Sequence, residues 1–183
     1  ETVLQEERLG TGHAVMQAIP FMQQEQTGNT LVLCGDAPFI DSDTIRNALE
    51  QHVQEGNAVT VITALAENPK GYGRILRGDN GITCIVEEKD ATEEQRRIRE
   101  INSGAYWFRT ADLITLLGGL TQNNAQGEYY LTDTIYLALH SGKRAGAYLS
   151  ENPDVVLGAN DQYIGLCRKH WREGNLGPGF PRK

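Results

Sequence analysis

Apolar positions along this chain switch between helical spacing and short continuous runs. Ala14, Val15, Ala18, Ile19 and Met22 recur at helical spacing, so the segment after Gly10 and Gly12 is expected to be a helix. Residues 30–34 are almost wholly apolar and end in Gly35-Asp36, the pattern of a strand buried on both faces. Asp41 or Ser42 then caps a helix that runs to Glu55 and closes at Gly56. Residues 58–64 are rich in β-branched side chains and predict the next buried strand. Residues 73–77 and 82–87 flank Gly78-Asp79-Asn80-Gly81, a strong hairpin signal. Further along, 92–99 reads as a charged exposed helix and 105–109 as a strand. Thr110 reads as the cap of a helix over 111–117, and 132–140 as another helix. Residues 145–149 predict a strand, 155–158 a short one, and Asn160 the opening of a last helix. The Gly/Pro-rich stretch 174–183 reads as a loose tail behind one domain over 1–173.

Strands alternating with helices imply an α/β fold with a mostly parallel sheet. The hairpin adds an antiparallel element, so the sheet should be mixed. A length of 183 residues suits one domain, and 39% hydrophobic residues suffice for a packed core. The net charge of −7, without a Lys/Arg cluster, argues against nucleic acid or an anionic membrane as partner. Three cysteines, Cys34, Cys84 and Cys167, stand far apart with no Cys-x-x-Cys pair, which points to a reduced, cytoplasmic setting without a zinc site. No apolar run approaches the ~20 residues of a membrane helix. Glu1 is preceded by no cap and no turn signal, so the chain is expected to be a fragment.

Ligands of open α/β sheets bind beyond the carboxyl ends of the strands, and Gly35-Asp36 sits at such an end. A carboxylate there suits Mg²⁺, which prefers oxygen ligands; it equally suits an ordinary turn cap. Gly10-Thr11-Gly12 before a helix offers N–H groups and a hydroxyl to an anion or a base edge, or simply caps the helix. His13 reads as a helix-start or buried histidine rather than a base. Phosphoryl-type transfer needs no side-chain base when the nucleophile is already a phosphate oxygen. Glu87 and Glu88 face opposite ways by strand periodicity, so one of them can point into a cleft and accept sugar hydroxyls, or both can be solvated. Asn102 either reads an amide or hydroxyl or forms a turn, and Asn160 alone reads as an N-cap. Cys34 reads as packed in its strand, and Tyr129, Tyr130 and Trp107 as core.

Each site is weak alone; their order along the chain is not. Gln5 with 9–14 (Leu-Gly-Thr-Gly-His-Ala), Gly35-Asp36, 71–75 (Gly-Tyr-Gly-Arg-Ile), 86–91, 100–104, 124–133 and 158–160 make seven blocks in sequence. This series resembles the uridylyltransferase domain of the bacterial bifunctional N-acetylglucosamine-1-phosphate uridylyltransferase/glucosamine-1-phosphate acetyltransferase family.

The resemblance implies a Rossmann-like, nucleotide-diphospho-sugar transferase fold of the glycosyltransferase-A kind. It implies uridylyl transfer from UTP to N-acetylglucosamine 1-phosphate, giving UDP-N-acetylglucosamine and pyrophosphate for cell-wall precursor synthesis. Gln5, Gly10 and Thr11 would read the uracil. Gly35 and Asp36 would approach the nucleotide, with Asp36 and Asn160 ligating Mg²⁺. Gly73, Glu87 and Asn102 would hold the N-acetylglucosamine moiety, and Asn160 would also touch the sugar nucleotide. Two departures stand out. Cys34 occupies a position that is often Tyr in relatives. The family's opening strand and Gly-rich triphosphate loop have no counterpart here, nor does its acetyltransferase domain. Little or no transferase activity is therefore expected of the chain by itself, and a monomer where the parent family forms homotrimers. The rival expectations are a nucleotidyltransferase for another sugar phosphate and a non-catalytic UDP-sugar-binding module.

Overall fold

The computed structural model describes residues 1–35, 40–152 and 155. Its helices are α1 (Thr11–Met16), α2 (Ile19–Met22), α3 (Ser42–Gln54), α4 (Thr110–Leu117) and α5 (Asp133–His140). Its strands are β1 (Asn29–Leu33), β2 (Val59–Leu65), β3 (Arg74–Gly78), β4 (Gly81–Val86), β5 (Glu100–Arg109) and β6 (Ala145–Leu149), which form one six-stranded sheet. The order is β4-β3-β5-β2-β6, with β1 also paired to β5.

The sheet is mixed, as the sequence predicts. β1, β2 and β3 each run antiparallel to β5, and β6 runs parallel to β2. Those four strands therefore share a direction, while β4 and β5 run against it. Among the described strands only the β2–β6 ladder is parallel, because β5 lies reversed among the others.

Period-two alternation along β2 sorts the core into two faces. Val59 and Val61 join Tyr106, Phe108, Ile75 and Ile85 against Leu113, Leu117 and Ile135 of α4 and α5. Ile62 and Ala105 pack on the opposite face with Ala48 of α3. Helices thus cover both sides of the sheet, the arrangement that buries β2 completely over its first six residues. Helix α3 starts where Asp41 accepts the N–H of Thr44 at 2.8 Å, and it gives way to Gly56 at φ 63°. The Asp41 carboxyl is held down to about 2 by hydrogen bonds from Asn152 and Thr44.

Four local expectations change. β1 is only half buried, because among the described residues it pairs with β5 alone and so lies at an edge. The helix predicted after Gly12 breaks into two short pieces at Gln17 and Ala18, with Pro20 in the first turn of the second. Residues 92–99 hold only a 3-10 turn, Gln95–Arg97, closed by reciprocal Thr92 and Gln95 bonds. That stretch carries no apolar stripe to dock a longer helix. Thr110 is the first helical residue of α4 rather than its cap, and its hydroxyl meets that of Thr30 at 2.8 Å. Of the short strand expected over 155–158 only Val155 is described; Asn160 and the tail 174–183 lie outside the described residues.

One consequence of the topology positions the site. β2 lines one side of β5 from Val59 opposite Phe108 to Leu65 opposite Glu100. On the other side β1 covers residues 105–109, and β3 begins with Arg74 opposite Ile101. Residues 102–104 are left facing the gap between the end of β1 and the start of β3.

Candidate functional site

β5 is irregular where it faces this gap. Its register with β2 shifts between Val61 and Thr63, and Gly104 adopts φ 79°. The Ser103 hydroxyl donates to the Ile62 carbonyl at 2.8 Å, which satisfies a backbone group that the bulge leaves without its ladder partner. Asn102, expected either to read a ligand or to form a turn, lies inside β5. Its carbonyl Oδ1 accepts the N–H of Gly104 at 2.9 Å. The two borders of the gap are pinned to this segment: the Asn102 N–H donates to Gly73 O at 2.9 Å, and the Cys34 N–H to Gly104 O at 3.2 Å.

Glu87 follows β4 and faces the gap beside Gly73. The Thr132 hydroxyl donates to its Oε1 at 3.2 Å. Burial pushes the Glu87 carboxyl above its ordinary range, with Asp133 and Asp90 adding to the effect. Tyr106 lies beneath, fully buried and hydrogen-bonded to Asn102; burial, then the nearby Glu87, raise its hydroxyl well above the usual phenol. Glu88 turns the other way, as strand periodicity requires. It accepts from the buried Arg74 at 2.6 Å and from the Gly71 N–H at 3.0 Å, while Arg96 bonds its carbonyl. The loop that presents Gly73 is therefore clamped from behind. Arg74 also donates to Tyr72 O, and its buried Nε has no partner among the described residues.

A second group forms around Gly10. Gly12 donates to Tyr129 O and Tyr129 to Leu9 O, both at 2.8 Å, so the two segments pair like a short ladder. This close approach requires the glycines: a Cβ on Gly10, at φ 105°, would lie 2.8 Å from Tyr129 O, and one on Gly12 2.5 Å from Leu120 Cδ1. The Gly12 N–H is spent inside the protein rather than offered to a ligand. The Thr11 hydroxyl accepts from Leu131 N at 3.1 Å. Gln5 rests against Gly10 O and His13.

Residues 124–133 join the two groups. Asn124 organises the turn by accepting from Gln126 N and Glu128 N and donating to Glu128 O, and Gly127 sits at φ 64°. Asp90 accepts from Ala125 N and from the Tyr130 hydroxyl, which ties the turn to the end of β4. Leu131 then holds Thr11 while its neighbour Thr132 holds Glu87.

Among the sequence-predicted residues, the fold brings Gly73, Glu87 and Asn102 to one gap. Gln5, Gly10 and Thr11 form the second group, and Gly35 follows β1 with nothing among the described residues within 4 Å of where its Cβ would lie. Asp36 and Asn160 lie outside the described residues. No group of three or more His, Cys, Asp or Glu is placed to hold a metal among the described residues. Sequence reasoning missed Tyr106, Thr132 and the Arg74–Glu88 pair. Arg74 and Thr132 do lie within the ordered blocks, whereas Tyr106 carries no local signal that separates it from core.

The Nucleotidyl transferase family model matches residues 1–171. The chain belongs to the nucleotidyl transferase family. Its relatives include a protein of Geobacillus thermodenitrificans named bifunctional protein GlmU, 45% identical over 95% of this chain and 40% of the relative. Proteins of the same name from Acetivibrio thermocellus and Streptococcus gordonii are 49% and 46% identical, over 86% and 88% of this chain and 34% and 35% of their own lengths. The chain thus spans between a third and two fifths of the curated relatives it matches. The mixed sheet flanked by helices is the α/β architecture expected of a nucleotidyl transferase. Among the described residues no helix is long and apolar enough to cross a membrane.

Proposed function

We propose that this chain supplies the base and sugar sites of a cytoplasmic uridylyltransferase that joins UTP and N-acetylglucosamine 1-phosphate into UDP-N-acetylglucosamine. The observation that carries the reading is the tie through residues 131 and 132: Leu131 bonds Thr11 and Thr132 bonds Glu87. A nucleotide sugar needs its two ends held at a set separation, and adjacent residues of one strap supply that. The base end falls to Gln5, Gly10 and Thr11. The sugar end falls to Gly73, Glu87 and Asn102, whose backbone groups, carboxylate and amide suit hydroxyls and one acetamide.

In the reaction a phosphate oxygen of the sugar phosphate attacks the α-phosphorus of UTP, and the bond to pyrophosphate breaks. Holding both reactants in line can remove roughly 7–11 kcal/mol of barrier. Asp36 and Asn160 offer oxygen donors only, the set a hard cation takes, and are the residues that would hold Mg²⁺. The ion would offset charge between the two phosphates. Gly35, just past the end of β1, immediately precedes Asp36 in the chain.

Thermal melts with UDP-N-acetylglucosamine and Mg²⁺, against UDP-glucose as control, test the reading. Ligand at 100 times its Kd adds about 2.7 kcal/mol of stability, a clear upward shift. The shift is expected with the acetylated sugar and to be much smaller with the control. Equal shifts would move the assignment to another sugar, and no shift with either would overturn it.

A further inference from the structure

We infer that His13 is a positioning residue that occupies the second N–H of the Gln5 carboxamide, and thereby sets which pyrimidine edge the site accepts. The inference rests on the reading that Gln5 faces the base. Gln5 Nε2 donates to Gly10 O at 3.2 Å and lies 3.0 Å from His13 Nδ1. On the other edge of the ring, Gln17 Nε2 donates to His13 O at 2.9 Å and lies 3.3 Å from His13 Nε2.

Both amide orientations are set independently of the ring, because a backbone carbonyl accepts only from an N–H. The imidazole therefore meets two amino groups, and a neutral ring has one acceptor nitrogen. The contact to Gln5 is the closer of the two, 3.0 Å against 3.3 Å, and so has the stronger claim on that one lone pair. The lone pair belongs on Nδ1, toward Gln5, and the proton on Nε2. Tyr129 stacks on the ring with centroids 6.1 Å apart and planes 26° from parallel, so the 124–133 turn helps hold its tilt.

Both amide protons of Gln5 are then consumed, one by Gly10 O and one by His13 Nδ1. Its remaining polar atom is Oε1, an acceptor. An acceptor at a base edge suits the imide N–H of uracil or thymine. It opposes cytosine, whose ring nitrogen in that place is itself an acceptor. Without His13 the amide keeps its bond to Gly10 O but its second N–H has lost its acceptor and can turn to the base edge beside Oε1. The preference for an imide base is thus set one residue behind the group that would touch it.

The test separates the two ring nitrogens. In His13→Asn the side-chain oxygen sits close to where Nδ1 was; in His13→Gln the amide reaches the place of Nε2 instead. Calorimetric titration with UDP and with CDP is expected to give the parent chain and H13N the same preference for UDP. H13Q should bind UDP about 3- to 10-fold more weakly, the worth of one hydrogen bond, with the preference over CDP largely lost. H13Q matching the parent chain, or H13N failing as badly as H13Q, overturns the role of His13 and leaves the base site standing. Failure of the parent chain to bind either nucleotide overturns the base-site reading and this inference with it. Nitrogen-15 shifts of the His13 ring in the unmutated chain add a readout independent of variant folding. A proton on Nε2 is expected, and a proton on Nδ1 overturns the assignment.

Discussion

The N–H of Asn102 donates to the carbonyl of Gly73 at 2.9 Å and closes one end of the gap along β5. A Cβ added to Gly73 would lie 3.0 Å from Ile85 Cγ2 and 3.3 Å from Glu87 Oε1. Glu87 Oε1 is a flexible end that can yield, whereas Ile85 Cγ2 sits on the branch of a buried core residue, so Gly73→Ala should fold at a cost of about 1 kcal/mol. The carboxylate, however, must move off its position. Binding of the acetylated sugar nucleotide is expected to weaken about tenfold, the worth of one charge-assisted hydrogen bond. Paired melts and titrations check this; unchanged affinity would mean that the sugar does not use this gap.

Glu87 is a site group that costs the fold something. Burial raises its carboxyl, so the folded state favours the protonated form. The sign follows from linkage: a raised acid is neutral in both states at low pH, and its charge counts against the fold once the pH passes its unfolded value. Glu87→Gln should therefore melt higher than the parent chain at pH 7, with the gap closing as the pH falls through the raised folded value toward the ordinary 4.5. The same variant should lose affinity for the sugar nucleotide. A glutamine variant that melts lower at neutral pH would show that Thr132 and Arg74 outweigh the burial.

Most of the architecture was legible because its signals are local. Asp41 and Gly56 bracket α3, Asp79-Asn80 turns the hairpin, and 145–149 needs no correction. Two of the errors come from long-range pairing. β1 reads as fully buried from composition, yet its burial depends on which strands flank it. Asn102 reads as a ligand contact or a turn ahead of the strand, yet β5 already pairs with β2 at Asn102 and bulges at Gly104. In the site, Gln5, Gly73 and Glu87 could be named from the order of the blocks. That Thr132 would hold Glu87 could not, because the contact joins residues 45 positions apart through the fold of the 124–133 turn.

Gly10 and Gly35 separate conformational need from mere proximity to a ligand. Gly10 sits at φ 105° with backbone atoms of Tyr129 in the way of any Cβ, whereas nothing among the described residues lies within 4 Å of a Cβ on Gly35. Gly10→Ala should cost about 1–3 kcal/mol. It should also speed hydrogen exchange at the Gly12 and Tyr129 amides, whose bonds to Tyr129 O and Leu9 O it forces apart. Gly35→Ala should stay within about 0.5 kcal/mol of the parent chain. Equal costs at the two positions would sink the argument that the Gly10 turn exists to dock residue 129.

His52 makes the stability of the chain depend on pH far from the site. It is 1% exposed on α3, with Nδ1 2.9 Å from the Thr60 hydroxyl and Nε2 3.2 Å from Asn29 Oδ1. Asn57 donates to Thr60 Oγ1 at 3.0 Å, so that hydroxyl is free to donate to Nδ1, and the ring sits neutral with its proton toward Asn29. Burial, aided by the Arg109 charge, lowers the imidazole from 6.5 to about 4; Asp112 and Glu55 oppose the shift more weakly. Above pH 6.5 the ring is neutral folded and unfolded, and its contribution is complete. Between 6.5 and about 4 the unfolded chain takes up a proton that the folded chain refuses, so stability falls; below that the loss is complete. The full span corresponds to about 3 kcal/mol. Glu87, raised from 4.5, titrates in the same range with the opposite sign, so the comparison must be with a neutral reference. Denaturant melts of the parent chain and His52→Gln should differ by an amount that shifts steadily against the parent chain as the pH drops from 7 to 4. A gap that stays constant over this range would mean that the buried ring charges without penalty.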